Sequence, residues 1–322
     1  MNYYELEPKN NTFHEVVIDV THRCNMTCKN CYIPNRDIPD MDITKMLEAI
    51  SQFPKRVVVR IIGAEPTMRK DLPDIINGIR ALGHHPVLLT NGLRFANKEY
   101  ADMIGTTKLK MVYISLNGVD RDDWYETIDE MRCATKKIAA LENLHKNKFL
   151  IDTGTIIVKG VNDDAISRLL SQFNRIGITD SLVRIKNIGD LGRNMVSTPN
   201  KNGEQIITIN TNYTLDGLVN LVAKQTGLTA DYIYSWKDNP IYTGLDPEET
   251  SILFPLIPIN REEFTGSLGR RRGIWFKITD WGAGAFNEDK VPFANNTRRG
   301  RLTSNFKIAP FFEHVKLNEF GY

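Results

Sequence analysis

The sequence predicts an α/β fold in which a parallel β-sheet is connected by helical crossovers. Up to about residue 190, short β-branched runs alternate with helical apolar patterns. Six such strand–helix alternations are typical of a parallel sheet. The strand segments are mainly apolar, as in parallel strands that are buried on both faces. An open, doubly wound sheet and a curved or barrel sheet both fit this pattern.

The alternating segments are bounded by recognisable cap and stop signals. Asp42 is a candidate N-cap, and Gly83 and Gly177 stand where helices are expected to end. The predicted strands are Glu15–Val20, Arg56–Gly63, Pro86–Gly92, Leu109–Gly118, Phe149–Gly160 and Ser181–Gly189. The predicted helices are Asp42–Phe53, Asp71–Gly83, Asn97–Gly105, Glu126–Asn147 and Asp163–Gly177.

The alternation stops after about residue 194. Ser197–Gly203 is rich in turn residues, and it precedes a strand-like Gln205–Asn210 and a helical Thr214–Gly227. A further strand is predicted at Gly273–Trp281, before an irregular, basic tail. We therefore predict a core over residues 1–195 and a C-terminal α+β extension over residues 196–322, which binds substrate or closes the sheet.

Composition narrows the class of protein. The chain has 322 residues, of which 41% are hydrophobic and 25% charged, and its net charge of +2 predicts no global attraction to nucleic acid or membrane. No apolar run reaches the roughly 18 residues that span a bilayer. The first residues lack the basic and apolar regions of a signal peptide. The expected compartment is the reducing cytoplasm.

Three of the four cysteines lie in the loop that follows the first strand. Cys24, Cys28 and Cys31 have the spacing C-x3-C-x2-C, which in a reducing compartment favours a metal site over disulfides. A zinc site would need a fourth ligand, such as His14 or His22. Buried structural thiols seldom cluster in a polar loop. An iron–sulfur cluster held by three thiolates, with one iron left open, is the favoured interpretation.

Four further segments follow successive predicted strands and complete a recognisable set. They are GAEPT (Gly63–Thr67), TNG (Thr90–Gly92), ISLNG (Ile114–Gly118) and VRIKNIGDLGR (Val183–Arg193). Together with the cysteine triplet, this order resembles the radical S-adenosylmethionine (radical SAM) superfamily, in particular its cofactor-biosynthesis and peptide-maturase branch. The resemblance covers about residues 14–195, and it implies a partial (β/α)6 TIM-like barrel.

The resemblance also implies the cofactors and their contacts. A [4Fe-4S] cluster would be bound by the three cysteines, and SAM would chelate the open iron and be cleaved to a 5′-deoxyadenosyl radical that abstracts hydrogen from a substrate. The segment at Gly63–Glu65 would take the SAM amino group, Thr90 and Ser115 would offer hydroxyl groups, and Arg184 would clamp the SAM carboxylate. The implied SAM-contacting residues are Gly63, Ala64, Glu65, Pro66, Thr90, Asn91, Ser115, Asn117 and Arg184.

Two positions depart from the family pattern. The family usually has an aromatic residue directly before the third cysteine, where this chain has Asn30, with Tyr32 directly after that cysteine. Ala64 stands in place of the second glycine of the GAEPT-type segment. Neither change removes a ligand, but packing around the adenine is expected to differ.

The position of the fourth cysteine indicates where the electron for SAM cleavage would come from. Cys133 lies within a predicted long helix, away from the other three, and is interpreted as a small buried apolar residue. No cysteine follows it, so the cysteines of an auxiliary cluster are missing. Electrons would then come from an external one-electron reductant such as flavodoxin or ferredoxin.

The substrate stays open at this point. A nucleotide, a nucleic-acid component or a small metabolite is expected. The alternatives are a scaffold protein without turnover and a peptide-modifying enzyme that lacks auxiliary clusters.

The basic tail holds two arginine clusters and several aromatic residues. The clusters, Arg270–Arg272 and Arg298–Arg301, would face the barrel mouth if the substrate carries phosphate, but solvated surface arginines are the simpler interpretation. The aromatic residues could stack on bases, but they fit a small core better. These residues are Trp275, Phe276, Trp281, Phe311 and Phe312, with Glu313 and His314 beside the last two.

Overall fold

The computed structural model describes residues 4–28, 31, 33, 36–187, 213–237, 251–259, 272–280 and 299–310. Within these ranges the strands are β1 Glu15–Asp19, β2 Val58–Ile62, β3 His85–Thr90, β4 Met111–Ser115, β5 Leu150–Ile157, β6 Ser181–Asn187, β7 Ser251–Pro255, β8 Ile274–Thr279, β9 Arg299–Leu302 and β10 Ile308–Pro310. The α-helices are α1 Ile43–Ser51, α2 Leu72–Ala81, α3 Lys98–Gly105, α4 Asp122–Asp129, α5 Ala134–Lys146, α6 Ala165–Ile176, α7 Leu215–Thr226 and α8 Ala230–Tyr234.

The described strands form one ten-stranded sheet in the order β10-β9-β1-β2-β3-β4-β5-β6-β8-β7. Strands β1 to β6 are parallel and follow the order of the chain, with helices between them. This confirms the predicted α/β fold and its six strand–helix alternations. Parallel neighbours place their C-terminal ends at one edge of the sheet, which we call the rim.

The C-terminal strands extend this sheet at both ends. Strand β9 pairs in parallel with β1 and antiparallel with β10, while β8 pairs in parallel with β6 and antiparallel with β7. Buried residues of β7, β8 and α7 belong to the same apolar core as those of β1 to β6. Sequence periodicity could not show that the tail returns to the first strand, because such pairing joins segments that are far apart in the chain.

Local signals set the helix boundaries. The Asp42 carboxylate accepts a hydrogen bond from the Lys45 amide at 2.9 Å and so caps α1. Gly177, with φ at 88°, ends α6 in the left-handed conformation that suits glycine. The predicted helix over Glu126–Asn147 is wrong, since α4 ends before Glu130, which has φ at 54°. The polar, charged stretch around Glu130 hid this break in an otherwise helical pattern.

The two faces of the sheet differ in chemistry. Alternate residues such as Val16, Ile18 and Val59 belong to the apolar core that also contains buried residues of the helices. The other face carries charged side chains, so the expectation of strands that are apolar on both faces is wrong here. Glu15, Asp19 and Asp152 on this second face are buried, and we call it the inner face. Its charged residues include Glu15, Asp19, Arg60, Asp152, Arg184, Lys277, Arg299 and Arg301.

The two arginine clusters of the tail are separated. Arg299 and Arg301 lie on β9 and pair with carboxylates of β1. Arg272 is exposed and precedes β8, so it lies at the edge opposite the rim. Arg270, Arg271 and Arg298 lie outside the described residues, as do Trp281, Phe311, Phe312, Glu313 and His314.

Aromatic packing joins the C-terminal elements to the sheet. Trp236 follows α8, is 1% exposed, and meets Trp275 of β8 edge-on with ring centroids 5.7 Å apart. Phe254 of β7 stacks on Phe276 of β8, also at 5.7 Å. Trp275 and Phe276 are buried, which confirms the interpretation of these two as core residues. No described helix has the length and apolarity that a bilayer crossing requires.

We expect Trp236→Ala to lower the free energy of unfolding by about 3–5 kcal/mol, because a large buried ring is replaced by a cavity. Lys237→Ala, at the exposed neighbouring position, should change it by less than about 0.5 kcal/mol. Urea unfolding followed by tryptophan fluorescence and circular dichroism measures both. Equal effects of the two substitutions would show that this packing does not hold the C-terminal elements on the sheet.

Candidate active site at the rim of the sheet

Four of the five segments singled out in the sequence meet at the rim; the fifth, Val183–Arg193, lies on β6 and, after Asn187, outside the described residues. The cysteine loop follows β1, GAEPT follows β2, and the TNG and SLNG segments lie at the ends of β3 and β4. Strands β1 to β4 are neighbours in the sheet, so these four segments are neighbours too. The Ala64 amide donates to the Thr21 carbonyl at 2.9 Å, and the Glu65 amide donates to the Arg23 carbonyl at 3.0 Å.

Gly63 allows the second segment to touch the cysteine loop. Its φ is 130°, and a Cβ atom there would stand 2.2 Å from the Thr21 carbonyl oxygen. Only glycine fits this conformation and this approach between two backbones. Ala64, which replaces the second glycine of the family pattern, has its amide bonded to Thr21 and so keeps the segment in place.

The Glu65 carboxylate joins the ends of β2 and β3. The residue is 0% exposed. Its Oε1 accepts hydrogen bonds from the Thr67 amide at 3.0 Å, the Thr67 hydroxyl at 2.6 Å and the Thr90 hydroxyl at 2.7 Å. Its Oε2 accepts one from the Asn91 amide at 2.7 Å. These bonds stabilise a buried negative charge and leave Oε2 able to accept from a ligand.

Backbone acceptors lie beside this carboxylate. Among the described residues, none donates a hydrogen bond to the carbonyl of Gly63 or Ala64. Pro66 is buried and opens a short 3-10 helix, Pro66–Met68, which fixes the turn after Glu65. The segment therefore presents two carbonyls and a carboxylate, a set that suits a positively charged amino group.

The three loop cysteines are partly buried free thiols. The Cys24 sulfur accepts from the Met26 amide at 3.4 Å, and the Cys31 sulfur accepts from Nη2 of Arg36 at 3.0 Å. The Cys31 amide donates to the Cys28 carbonyl at 3.3 Å. Arg36 had no sequence signal of its own, although it stands five residues after the third cysteine.

The environment of these thiols suits a cationic cluster. Burial raises the pKa of Cys24, and Glu65 and Cys31 add to the rise. Burial also raises the pKa of Cys28, with Asp129 adding to it. A thiolate here needs positive charge to offset its desolvation, and ligated iron supplies that charge.

The described residues contain no set of three or more His, Cys, Asp or Glu side chains that meets around one point as ligands of a single ion. Thiolates of a four-iron cluster each bind a different iron, so they need not meet in that way. His14 is exposed and His22 is buried, and neither completes such a single-ion set. Asn30 and Tyr32 lie outside the described residues.

The polar residues expected to contact SAM fall into two groups. Thr90 donates to Glu65 and accepts from the Gly92 amide, and the Asn91 side chain donates to Asn25 and accepts from the Leu93 amide. These two residues orient other rim groups. The Ser115 hydroxyl, by contrast, has no hydrogen-bond partner within the described part of the chain.

Among the described residues, Asn117 and Arg184 form no hydrogen bond with Thr90, Asn91 or Ser115. The buried Asn117 amide donates to both oxygens of Asp129, at 2.9 and 3.2 Å, and accepts from the Ile156 amide. The Asn117 side chain therefore joins the end of β4 to Asp129 of α4 and to β5. Arg184 lies on the inner face, with its guanidinium carbon 5.5 Å from the ring centroid of Tyr113. Their contacts with SAM stay predictions.

The structure adds Lys137 to the rim. This lysine of α5 is 1% exposed, and its ammonium donates to the carbonyls of Asn91 and, at 3.0 Å, Ser115. It also lies over the Tyr125 ring at 5.4 Å. It therefore joins the ends of β3 and β4. Its position three residues after buried Ala134 and seven before buried Leu144 marks it on the apolar face of the helix, which was the available signal.

Cys133 lies closer to the site than predicted. Its burial is confirmed at 3% exposure. It stands at the N-cap of α5, however, and not within a long helix, and it shares one apolar cluster with Met26 and Tyr125, against which Cys24 and Cys28 pack. The placement away from the other cysteines is wrong, because the break before α5 turns Cys133 towards the rim. Burial raises its pKa to about 11.

We expect Lys137→Met to lower the free energy of unfolding by about 2–4 kcal/mol, because it removes the donor to two partly buried carbonyls. The loss should be at most about 0.5 kcal/mol for Lys136→Met, at the exposed neighbouring position. Chemical denaturation measures both changes. Equal stabilities of the two variants would mean that the ammonium does not support the ends of β3 and β4.

Comparisons with known proteins agree with this arrangement. The family model described as Radical SAM superfamily matches residues 18–173. A 7,8-dihydro-6-hydroxymethylpterin dimethyltransferase of Methanocaldococcus jannaschii is 28% identical over 165 residues, 48% of this chain and 32% of that protein. A GTP 3',8-cyclase of Staphylococcus aureus is 26% identical over 249 residues, 71% of this chain and 69% of that protein.

The fold is similar to that of SuiB from Streptococcus suis, crystallised with its precursor peptide SuiA, at a TM-score of 0.57 and 16% identity over 95% of this chain and 60% of SuiB. SuiB has also been crystallised with S-adenosylmethionine. The chain thus spans 32% of the pterin methyltransferase and 60% of SuiB. Radical SAM structures of this kind are partial TIM barrels, as the sequence predicts for this chain. The chain belongs to the radical SAM superfamily, a family of enzymes whose cofactors are a [4Fe-4S] cluster and SAM.

Proposed function

We propose that this protein is a radical SAM enzyme whose cluster is held by Cys24, Cys28 and Cys31. The observation that carries the proposal is the buried Glu65 carboxylate, held beside two free carbonyls directly against the cysteine loop. When bound, the cluster and SAM supply a 5′-deoxyadenosyl radical that abstracts hydrogen from a substrate. The rest of the chemistry is positioning and exclusion of water.

Glu65 and its neighbours form the proposed site for the SAM amino group. The Gly63 and Ala64 carbonyls accept from that group, and Oε2 of Glu65 supplies the countercharge. Thr67, Thr90 and Asn91 hold the carboxylate in place. Pro66 fixes the turn, and the Ser115 hydroxyl is available for the SAM carboxylate or ribose.

Apolar residues protect the proposed cluster from water. Cys24 and Cys28 pack against an apolar group that contains Met26, Tyr125 and Cys133. Exclusion of water strengthens the electrostatic interactions within the site and protects reactive species from side reactions. Lys137 places a fixed positive charge near Cys28, which lowers the cost of negative charge on the thiolates.

The substrate and the electron donor are further parts of the proposal. No cysteine in this sequence follows Cys133, so an external reductant such as flavodoxin or ferredoxin would supply the electron. Free thiols suit the reducing cytoplasm. We propose a nucleotide, a nucleic-acid component or a small metabolite as substrate. The precursor peptide bound to SuiB favours, as a second candidate, a peptide-modifying enzyme without auxiliary clusters.

Replacement of Cys24, Cys28 and Cys31 together by Ala should abolish both iron binding and SAM cleavage, because no thiolates remain to hold the cluster. The protein is reconstituted anaerobically with iron and sulfide, reduced with dithionite, and assayed for iron content and 5′-deoxyadenosine. The wild type should hold about four irons, as a [4Fe-4S] cluster requires.

Cys133→Ala is the matched control for the cysteine triplet. It should keep the cluster and SAM cleavage, because Cys133 is interpreted as a packing residue in the same apolar group. Stoichiometric zinc in the wild type, with no iron–sulfur absorbance after reconstitution, would falsify the cluster assignment. Loss of the cluster in Cys133→Ala would instead make this cysteine a ligand.

Glu65→Gln should weaken SAM binding by about 10–100-fold, because the amide keeps the shape of the carboxylate but not its charge. Equilibrium dialysis with labelled SAM measures this on the reconstituted protein. Glu48→Gln, at an exposed position of α1, serves as the control and should bind SAM as the wild type does. An unchanged SAM affinity in Glu65→Gln would remove Glu65 from the proposed site.

A further inference from the structure

Among the described residues, the inner face of the sheet carries more cations than carboxylates. Glu15 of β1 pairs with two arginines at once, Arg60 of β2 at 2.7 Å and Arg299 of β9. Arg301 of β9 pairs with Asp19 of β1 at 2.6 Å. One carboxylate thus contacts two guanidinium groups, and Arg60 shares Glu15 with Arg299.

Arg184 is a further cation on this face of the sheet. Among the described residues, no carboxylate forms an ion pair with it, and its buried Nε has no hydrogen-bond partner. Its guanidinium lies against the Tyr113 ring. Gly154, between the two on β5, makes room for this contact, since a Cβ atom there would stand 1.7 Å from the Tyr113 hydroxyl oxygen.

Arg184 and Arg60 both lie on the inner face, although three strands separate β6 from β2. The charge of Arg184 nevertheless acts on Arg60. Burial lowers the pKa of Arg60 to about 10; Glu15 opposes this, and Arg299 and Arg184 add to it. Two partly buried guanidinium groups that repel each other are costly, and an anion between them would offset that cost.

We infer that the inner face between Arg60 and Arg184 binds an anionic group of the substrate, a phosphate or a carboxylate. Planar guanidinium groups bind both of these through paired N–H donors. Arg184 stands in register with Gly154, which stands in register with Ser115 at the rim. The anionic group would therefore lie at the inner face, next to the proposed SAM site. The inference rests on the proposed function for the identity of this group as part of a substrate.

The test is a titration that needs no turnover. The reconstituted protein, with and without SAM, is titrated with inorganic phosphate and separately with succinate, by calorimetry at low and high NaCl. We expect the wild type to bind at least one of them, more weakly at high salt. The anion that binds more tightly identifies the group as phosphate or carboxylate.

Arg60→Met should weaken this binding at least tenfold. Glu15 keeps Arg299 in that variant, so the fold retains the ion pair. Arg272→Gln, an exposed arginine at the opposite edge, is the matched control and should bind as the wild type does. Failure of the wild type to bind either anion, or wild-type affinity in Arg60→Met, would overturn the inference.

Arg184→Met is the second variant, with a stability readout. It should weaken anion binding at least tenfold without lowering the melting temperature, because it removes an unpaired charge. Phosphate or succinate should raise the melting temperature of the wild type only. A drop of several degrees in Arg184→Met without anion would make Arg184 structural, and weakened SAM binding with intact anion binding would return it to the SAM site.

The experiments distinguish a failure of this inference from a failure of the proposed function. Absence of SAM cleavage in the wild type would overturn the proposed function, while the anion titration still decides the inner site. Normal SAM cleavage with no anion binding would leave the proposed function and remove the inner site.

Discussion

The rim of this protein depends on one buried carboxylate. Glu65 accepts four hydrogen bonds, two from its own turn and two from the end of the next strand. Its amide is bonded in turn to the cysteine loop. A buried carboxylate without such donors would be too costly to keep ionised. The same bonds that stabilise the charge therefore fix the relative positions of β2, β3 and the loop that carries the thiols.

Close backbone approach is the second requirement of the rim. Gly63 lets the second strand end against Thr21, and Lys137 joins the next two strand ends from the helix side. The side chains of Thr90 and Asn91 form hydrogen bonds within this framework. Among the described rim residues, the Gly63 and Ala64 carbonyls, one Glu65 carboxylate oxygen and the Ser115 hydroxyl are available to a ligand. Such preorganisation suits a site in which bound cofactors supply the chemistry.

Much of this arrangement could be predicted from the sequence, because it is local. The strand–helix alternation is a pattern of near neighbours, and each predicted rim segment directly follows its own strand. The features that were not predicted are contacts between residues far apart in the chain and charged residues whose burial is offset by hydrogen bonds or ion pairs. The return of β9 to β1, and the pairing of Arg299 with Glu15, join residues at opposite ends of the chain. Lys137 was not singled out in the sequence, because lysines are seldom buried without a carboxylate.

The helix break before α5 was missed for a different reason. Glu130 adopts a left-handed conformation that is uncommon for a non-glycine residue, so the sequence carries no turn signal there. The break brings Cys133 and Lys137 towards the loop cysteines. The charged inner face was also not predicted. A single Arg or Glu residue within an apolar strand resembles a residue at the exposed end of that strand.

The central claim is that Glu65 and the neighbouring carbonyls hold the SAM amino group against a cluster bound by Cys24, Cys28 and Cys31. Electron–nuclear double resonance on the reduced, reconstituted protein with SAM carrying ¹⁵N in its amino group tests it most directly. The account predicts a ¹⁵N hyperfine coupling to the reduced cluster. Absence of this coupling in protein that demonstrably contains both the cluster and bound SAM would contradict it.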